Sequence, residues 1–359
     1  MKISLIYGGK SAEHDISILT AFSIIKEVYY KYYEVQPIYI TKAGQWIKGP
    51  VLTEPVTNHD QLKFKINDET TNTQQLSGVE IQPTSLKEED AVIFPVLHGP
   101  NGEDGTVQGL FEVINMPYVG TGVLASACGM DKIISKYLFQ QAGIPQVPYV
   151  AVLKNEWLRD EEQVFMRCEG SLLYPMFVKP ANMGSSVGIT KAENRFELIS
   201  AIKTALKYDR RIVVEQGIEA REIEVAVLGN SDVHTSVPGE IVKSVDFYDY
   251  DSKYLTNDVQ LQIPALVPDS VSAQLREYAA AAFEVLDGSG LSRCDFFVTA
   301  NDEIFINEVN TMPGFTQFSM YPLLWENTGL SYGDLVEELI QLALRRFEER
   351  QAYQMKSDE

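Results

Sequence analysis

The sequence predicts an α/β unit followed by units of α+β character, in a chain whose 359 residues suffice for two or three packed units. Three observations carry this. The first third repeats a short apolar strand signal, in one case followed by a glycine turn and a helix-period segment. Later segments mix further strands with helices, and 45% hydrophobic and 22% charged residues lie in the globular range. Residues 3–7, Ile-Ser-Leu-Ile-Tyr, form the first strand; Gly8-Gly9 turn the chain, and Ile18, Phe22 and Ile25 then follow at helical spacing. Residues 35–40 and 91–97 repeat the strand signal, which predicts a small parallel sheet with helical crossovers. Residues 50–85, rich in Thr, Asn, Gln and Asp, read as a loop-rich insertion with little core. Ile134, Tyr137 and Leu138 predict a helix around 130–142, stopped by Gly143-Ile144-Pro145, and a domain boundary falls near residue 123. Further strands are expected at 176–179, 212–215, 222–227, 292–299 and 303–309. A docked terminal helix begins at Ser331, with Leu335, Val336, Leu339, Ile340 and Phe347 on one face.

Composition removes several function classes. Thirty Lys plus Arg against fifty Asp plus Glu leave a net charge of −20, which repels polyphosphate chains and anionic membranes, so neither nucleic acid nor membrane is an expected partner. No apolar run approaches the roughly 18 residues needed to cross a bilayer, and the first residues read as a strand rather than a signal peptide. Cys128, Cys168 and Cys294 are odd in number and widely spaced, which fits a reducing compartment, by default the cytoplasm. His14, His59, His98 and His234 show no zinc-ligand spacing.

Several stretches concentrate chemistry. Lys179 to Gly188, Lys-Pro-Ala-Asn-Met-Gly-Ser-Ser-Val-Gly, joins a lysine to small residues whose backbone N–H groups can approach an anion. It suits phosphate, although the pattern alone reads equally as a Gly-Ser turn, and it does not match a P-loop. Strands 292–299 and 303–309 carry the sharper signal. Alternation puts Arg293 and Asp295 on one face, and Glu308 and Asn310 on one face. With residues 300–303 as the turn, Thr299 opposes Ile304, so Asp295 faces Glu308 and Arg293 faces Asn310. Two opposed carboxylates, with Cβ atoms ~4.5–5.5 Å apart, repel unless one is protonated or a cation lies between them. Oxygen donors of this kind point to Mg²⁺ or Mn²⁺ completed by phosphate oxygens. Two Gly-rich acidic loops, 8–14 and 98–105, follow predicted parallel strands, where open α/β sheets bind small ligands. Residues 247–254, with three tyrosines and Lys253, read as a loop that could act as a lid.

Taken together, Gly8-Gly9-Lys10-Ser11-Ala12-Glu13, His98-Gly99-Pro100-Asn101-Gly102-Glu103-Asp104-Gly105, Met130-Asp131-Lys132, Lys179 through Gly188, Tyr248 through Tyr254, Arg293-Cys294-Asp295 and Glu308-Val309-Asn310-Thr311-Met312-Pro313-Gly314 resemble the D-alanine:D-alanine ligase family of the ATP-grasp superfamily. The motifs occur in order over essentially the whole chain. The resemblance implies a Rossmann-like N-terminal domain at 1–122 and a two-subdomain ATP-grasp fold at 123–217 and 218–359, with ATP gripped between the last two. It also implies a homodimer, and synthesis of D-alanyl-D-alanine from two D-alanines and ATP for peptidoglycan precursors.

Residue by residue, the resemblance makes Lys132 and Lys179 nucleotide-phosphate lysines, Lys253 the lid lysine, and Glu215 and Glu222 the adenine-edge and ribose contacts. Asp295, Glu308 and Asn310 match ligands of two Mg²⁺ ions, Glu308 bridging them. Glu13 matches the group on the first D-alanine's ammonium, His98 lies beside that substrate's carboxylate, and Ser319 matches a contact to the second carboxylate. Arg293 and the Gly314 N–H match an oxyanion hole. Glu13, Ser185 and Tyr254 match a hydrogen-bonded network that orients the substrates. Relatives that use D-lactate lack the pair seen here as Lys253-Tyr254, which implies the dipeptide product. Cys294 is expected to face away from the site. The rival readings are another ATP-grasp carboxylate-amine ligase, a biotin carboxylase-like enzyme, or a silent nucleotide-binding regulator.

Overall fold

The computed structural model describes residues 1–66, 76–242 and 260–353. Lys2–Gly8 (β1), His14–Glu27 (α1), Glu34–Ile40 (β2), Trp46–Lys48 (β3), Lys65–Ile66 (β4), Ser77–Ile81 (β5) and Ala91–Pro95 (β6) build the first unit. Its sheet has the order β4-β5-β3-β2-β1-β6, and the three strands at one end, β2-β1-β6, are parallel. Gly8 ends β1 at φ +91, where a Cβ would stand 2.2 Å from the Ile40 carbonyl oxygen, so only glycine turns the chain there. Two expectations need correction. The outer strands β3 and β5 run antiparallel to their inner neighbours, so the sheet is mixed. The polar insertion also supplies core, because Leu52, Val56, Leu62 and Phe64 turn inward although polar residues dilute them in sequence.

Thr106–Val113 (α2), Val123–Met130 (α3) and Lys132–Gln141 (α4) lead into the second unit. Asp131 separates α3 from α4 and caps α4, its side chain accepting from the Ile133 and Ile134 N–H groups at 3.1 Å each. Tyr149–Leu153 (β7), Lys154–Arg159 (α5), Glu161–Ser171 (α6), Met176–Pro180 (β8), Thr190–Ala192 (β9), Arg195–Ala205 (α7) and Arg211–Gln216 (β10) follow. The sheet is antiparallel in the order β7-β10-β8-β9, and Trp157, Val164, Leu198 and Ile202 of the helices pack on Val152, Val178 and Ile212.

The third unit holds Arg221–Gly229 (β11), Val233–Thr235 (β12), Gly239–Val242 (β13), Gln260–Gln262 (β14), Asp269–Val285 (α8), Gly290–Val298 (β15), Ile304–Asn310 (β16), Met320–Thr328 (α9) and Tyr332–Ala352 (α10). Its strands run β14-β13-β11-β15-β16, with β12 beside β11. Helix α8 buries Leu275, Ala279 and Ala282 against Val225, Cys294 and Phe296. Cys294 thus lies in this core. Ala226, Leu228 and Leu291 share a second core with α9, α10, α1 and β1.

Candidate active site

The loops after β1 and β6, the connection between β8 and β9, and the β11-β15-β16 surface converge on a cavity of about 1350 Å³. Every candidate residue among the described ones lines it: Glu13 and His98 from the first unit, Lys132, Lys179, Ser185 and Glu215 from the second region, and Glu222, Arg293, Asp295, Glu308, Asn310, Gly314 and Ser319 from the third. Lys253 and Tyr254 fall outside the described residues.

On the acidic wall, Asp295 faces Glu308 and Arg293 faces Asn310. The route to that register differs from expectation. Val298, not Thr299, opposes Ile304, so the connection spans 299–303; an irregularity beside Asp295 then leaves Asn307 as an extra residue on β16 and restores the pairing. Arg293 donates from Nε and Nη2 to the two Asp295 oxygens at 2.7 Å each, and its Nε lies 3.0 Å from Glu224 Oε2. Burial opposes the guanidinium charge, but Asp295 and Glu224 outweigh it and push the Arg293 pKa well above its usual value. Asn310 Oδ1 accepts from the Met312 N–H at 3.1 Å, which fixes the amide. Among the described residues no three acid, histidine or cysteine side chains form a complete cage for a metal. Asp295, Glu308 and Asn310 instead offer an all-oxygen set that fits a hard divalent cation when phosphate oxygens complete its shell.

Opposite stand the cations. Lys132 Nζ donates to the Met183 carbonyl at 2.9 Å and lies 3.6 Å from Glu308 Oε2. Lys179 Nζ lies 2.5 Å from Glu215 Oε2 and donates to Asn307 Oδ1 at 3.3 Å. The connection between β8 and β9 carries Ser185 and Ser186 at φ +52 and +60, a left-handed pair that shapes the predicted phosphate loop. Asn182 ties the loop's start to Asp209 through its N–H at 2.9 Å and to Asp131 through Nδ2 at 2.8 Å, and Arg211 pairs with Asp131.

At the third end, Glu13 stands at the N-cap of α1. A Cβ on Gly99 would lie 3.1 Å, and one on Gly184 3.9 Å, from Glu13 Oε2, so this carboxylate sits between the 98–105 loop and the serine loop. His98 places Nδ1 3.2 Å from the Met312 carbonyl and Nε2 3.4 Å from Thr20 Oγ1. Burial lowers its pKa against the pull of Glu13. Gly314 adjoins Ser319, whose Oγ accepts from the Thr316 N–H at 3.0 Å.

Four residues in or directly behind this site were not singled out from the sequence. Glu103 accepts from the Gly99 N–H at 2.7 Å, and burial followed by Glu13 raises its pKa well above the carboxylate range. Glu224 faces Asp295 across β11 and follows Glu222 by two residues, a same-face spacing visible in sequence. Lys136 lies one helical turn beyond Lys132, also a legible spacing. Asn307 joins the site through the irregular register, which no periodicity announces.

Comparison with known proteins agrees along the full length. Residues 2–121 match the family described as D-ala D-ala ligase N-terminus, and residues 138–341 match D-ala D-ala ligase C-terminus. The D-alanine–D-alanine ligase of Enterococcus hirae is 63% identical over 98% of this chain and 99% of its own. A solved D-Ala:D-Ser ligase from Enterococcus faecalis superposes with a TM-score of 0.82 at 34% identity, covering 95% of this chain and 99% of that one. The D-alanine-D-alanine ligase structure from Coxiella burnetii gives 0.80 at 34% identity over 98% of this chain and 96% of that one. A mixed first sheet joined to two antiparallel ones around a single cavity is therefore the ATP-grasp architecture with its N-terminal domain, and the chain belongs to the D-alanine–D-alanine ligase family.

Proposed function

We infer that this chain joins two D-alanines into D-alanyl-D-alanine at the expense of ATP, supplying peptidoglycan precursors. The observation that carries the reading is a single cavity where Lys132 and Lys179 face an all-oxygen acidic wall while Glu13 and His98 close the other end. That arrangement holds a triphosphate and an amino acid side by side. Lys132, Lys179 and the serine loop neutralise and orient the phosphates, while Glu222 takes the ribose and Glu215 uses its remaining lone pairs for the adenine edge. Asp295, Glu308 and Asn310 would hold two Mg²⁺ or Mn²⁺ ions, which supply charge neutralisation during transfer of the γ-phosphoryl group. Glu13 binds the first ammonium and His98 stands by the first carboxylate, so that this carboxylate attacks the γ-phosphorus in line, breaks its bond to the bridging oxygen so that ADP leaves, and becomes an acyl phosphate. The second D-alanine, its carboxylate on Ser319, gives up an ammonium proton, attacks the acyl carbon with the freed amine and expels phosphate, so the new amide C–N bond replaces the acyl C–O bond. Arg293 and the Gly314 N–H face the oxyanion that forms. Ser185 and Tyr254 complete the orienting network with Glu13, and Lys253 serves the lid.

The division into domains 1–122, 123–217 and 218–359 and a homodimeric state belong to the same reading. Among the described residues no helix is long and apolar enough to cross a membrane, and three free cysteines fit a cytoplasmic setting. The test is ADP release from protein, ATP and Mg²⁺ on adding D-alanine, with D-serine and D-lactate as competing second substrates near neutral pH. D-Alanine-dependent ADP and a dominant dipeptide are expected. Absence of D-alanine-dependent turnover would defeat the reading and favour another ATP-grasp ligase or a silent nucleotide binder; a dominant depsipeptide would defeat the assigned product.

A further inference from the structure

We propose that Lys136 is a positioning residue for the ATP phosphates: from behind the cavity wall it shares the Glu215 carboxylate and so leaves Lys179 with uncancelled positive charge. The proposal rests on the ATP reading above. Lys136 is 1% exposed and Glu215 3%, and Lys136 does not line the cavity, whereas Lys179 does. Its Nζ lies 2.7 Å from Glu215 Oε1, and the Lys179 Nζ lies 2.5 Å from Oε2 of the same group. The Lys136 ammonium also sits 5.0 Å from the Tyr149 ring centroid.

The stoichiometry is the argument. One buried lysine paired with one buried glutamate is neutral, and a Lys179–Glu215 pair alone would present ATP with a cancelled charge. Two lysines on one carboxylate carry a net +1, and only the cavity-facing member can deliver it to an anion. Burying a further ammonium is costly and fits poorly with a purely packing role, since an apolar side chain would fill that volume without the desolvation penalty. Burial works against ionisation of Glu215, yet the two lysines outweigh it and hold the carboxyl at about 2. Burial likewise lowers the Lys136 pKa, with Glu215 opposing; burial also pulls on Lys179, but Glu215, Glu308 and Glu222 together outweigh it and keep its pKa raised.

The test is the full chain carrying Lys136→Met, assayed with Mg²⁺-ATP and with ADP and adenosine as competitive inhibitors. We expect KM for ATP and the inhibition constant of ADP to rise about tenfold, the adenosine constant to move less than about twofold, and KM for D-alanine to hold. Lys136→Arg, which keeps the charge, should restore the ATP KM to within about threefold of the parent. Lys136→Met with Glu215→Gln removes one charge of each sign, and because Glu215 also meets the adenine edge the comparison is the ratio of ADP to adenosine affinity, which should be higher than in Lys136→Met alone; the double variant also serves where the single variant does not fold. An unchanged KM for ATP, equal losses for ADP and adenosine, or failure of both Met variants to fold would overturn the proposal. A parent chain without D-alanine-dependent turnover would instead undo the ATP reading on which it rests.

Discussion

Arg293 binds Asp295 with two 2.7 Å hydrogen bonds and approaches Glu224 at 3.0 Å, so one cation is shared by two of the carboxylates on the acidic wall. Glu308 faces Asp295, and Lys132 Nζ lies 3.6 Å from its Oε2. Glu308→Gln removes that charge at similar volume. The far-ultraviolet circular dichroism should be unchanged while turnover falls at least about a hundredfold; an altered spectrum would make Glu308 a structural residue. Glu103 gives a pH prediction. Its folded pKa is raised by burial and by Glu13, so the folded state keeps a proton that the unfolded chain releases near pH ~4.3. Above that value the unfolded state binds fewer protons, and stability declines as pH rises toward the folded pKa. Glu103→Gln abolishes this decline and keeps an amide oxygen to accept from the Gly99 N–H. Its Tm should exceed the parent's at about pH 8 and match it near pH 4. A lower Tm at both would refute the assignment.

At the scale of elements, what the sequence made legible followed from periodicity, and what it hid followed from irregularity. The facing of Asp295 and Glu308 was readable from alternation, yet the expected turn was one residue too short and the extra residue at Asn307 compensated for it. A bulge has no compositional signature, so neither it nor the Lys179–Asn307 bond could be read in advance. The insertion hid its core for another reason: Leu62 and Phe64 are isolated in a polar stretch, and burial there depends on tertiary partners rather than on a local pattern. Helix α4 was legible, but the importance of its cap was not. Asp131 accepts from two helix N–H groups, pairs with Arg211 and accepts from Asn182 at the root of the serine loop. Asp131→Ala should cost about 2–4 kcal/mol in denaturant melts, combining a lost cap with a lost, largely shielded ion pair. Because Lys132 opens this helix, KM for ATP should rise as well. A loss under about 0.5 kcal/mol would show that the helix start is fixed by packing alone.

At the scale of the whole molecule, the decisive feature is a core that joins the two ends of the chain. The apolar face of α10 was visible in sequence, but its partner was not, because periodicity identifies a buried face and says nothing of what covers it. In the fold, Leu335, Val336, Leu339 and Ile340 are at most 1% exposed and share one cluster with Ile18, Ala21, Ile24 and Ile25 of α1 and with Ile3 and Leu5 of β1. Tyr29 and Tyr33 add hydrogen bonds of 2.9 Å each to Asp334 and Glu337. Burying each of those α10 side chains contributes about 1.5–3 kcal/mol. Together they rival the roughly 5–15 kcal/mol net stability of a whole domain. The N-terminal unit therefore lacks a complete core of its own, although residues 2–121 match a family segment as a unit. Expressed alone, residues 1–121 should show no cooperative thermal transition, whereas the full chain should melt cooperatively. Deleting residues 332–359 should release the same α1 face, seen as dye binding to exposed apolar surface and loss of D-alanine-dependent turnover, since Glu13 is carried at the start of α1. A sharp, reversible melt of the isolated 1–121 fragment would show that α1 and β1 hold together without α10, and the placement of Glu13 would then rest on the first unit alone.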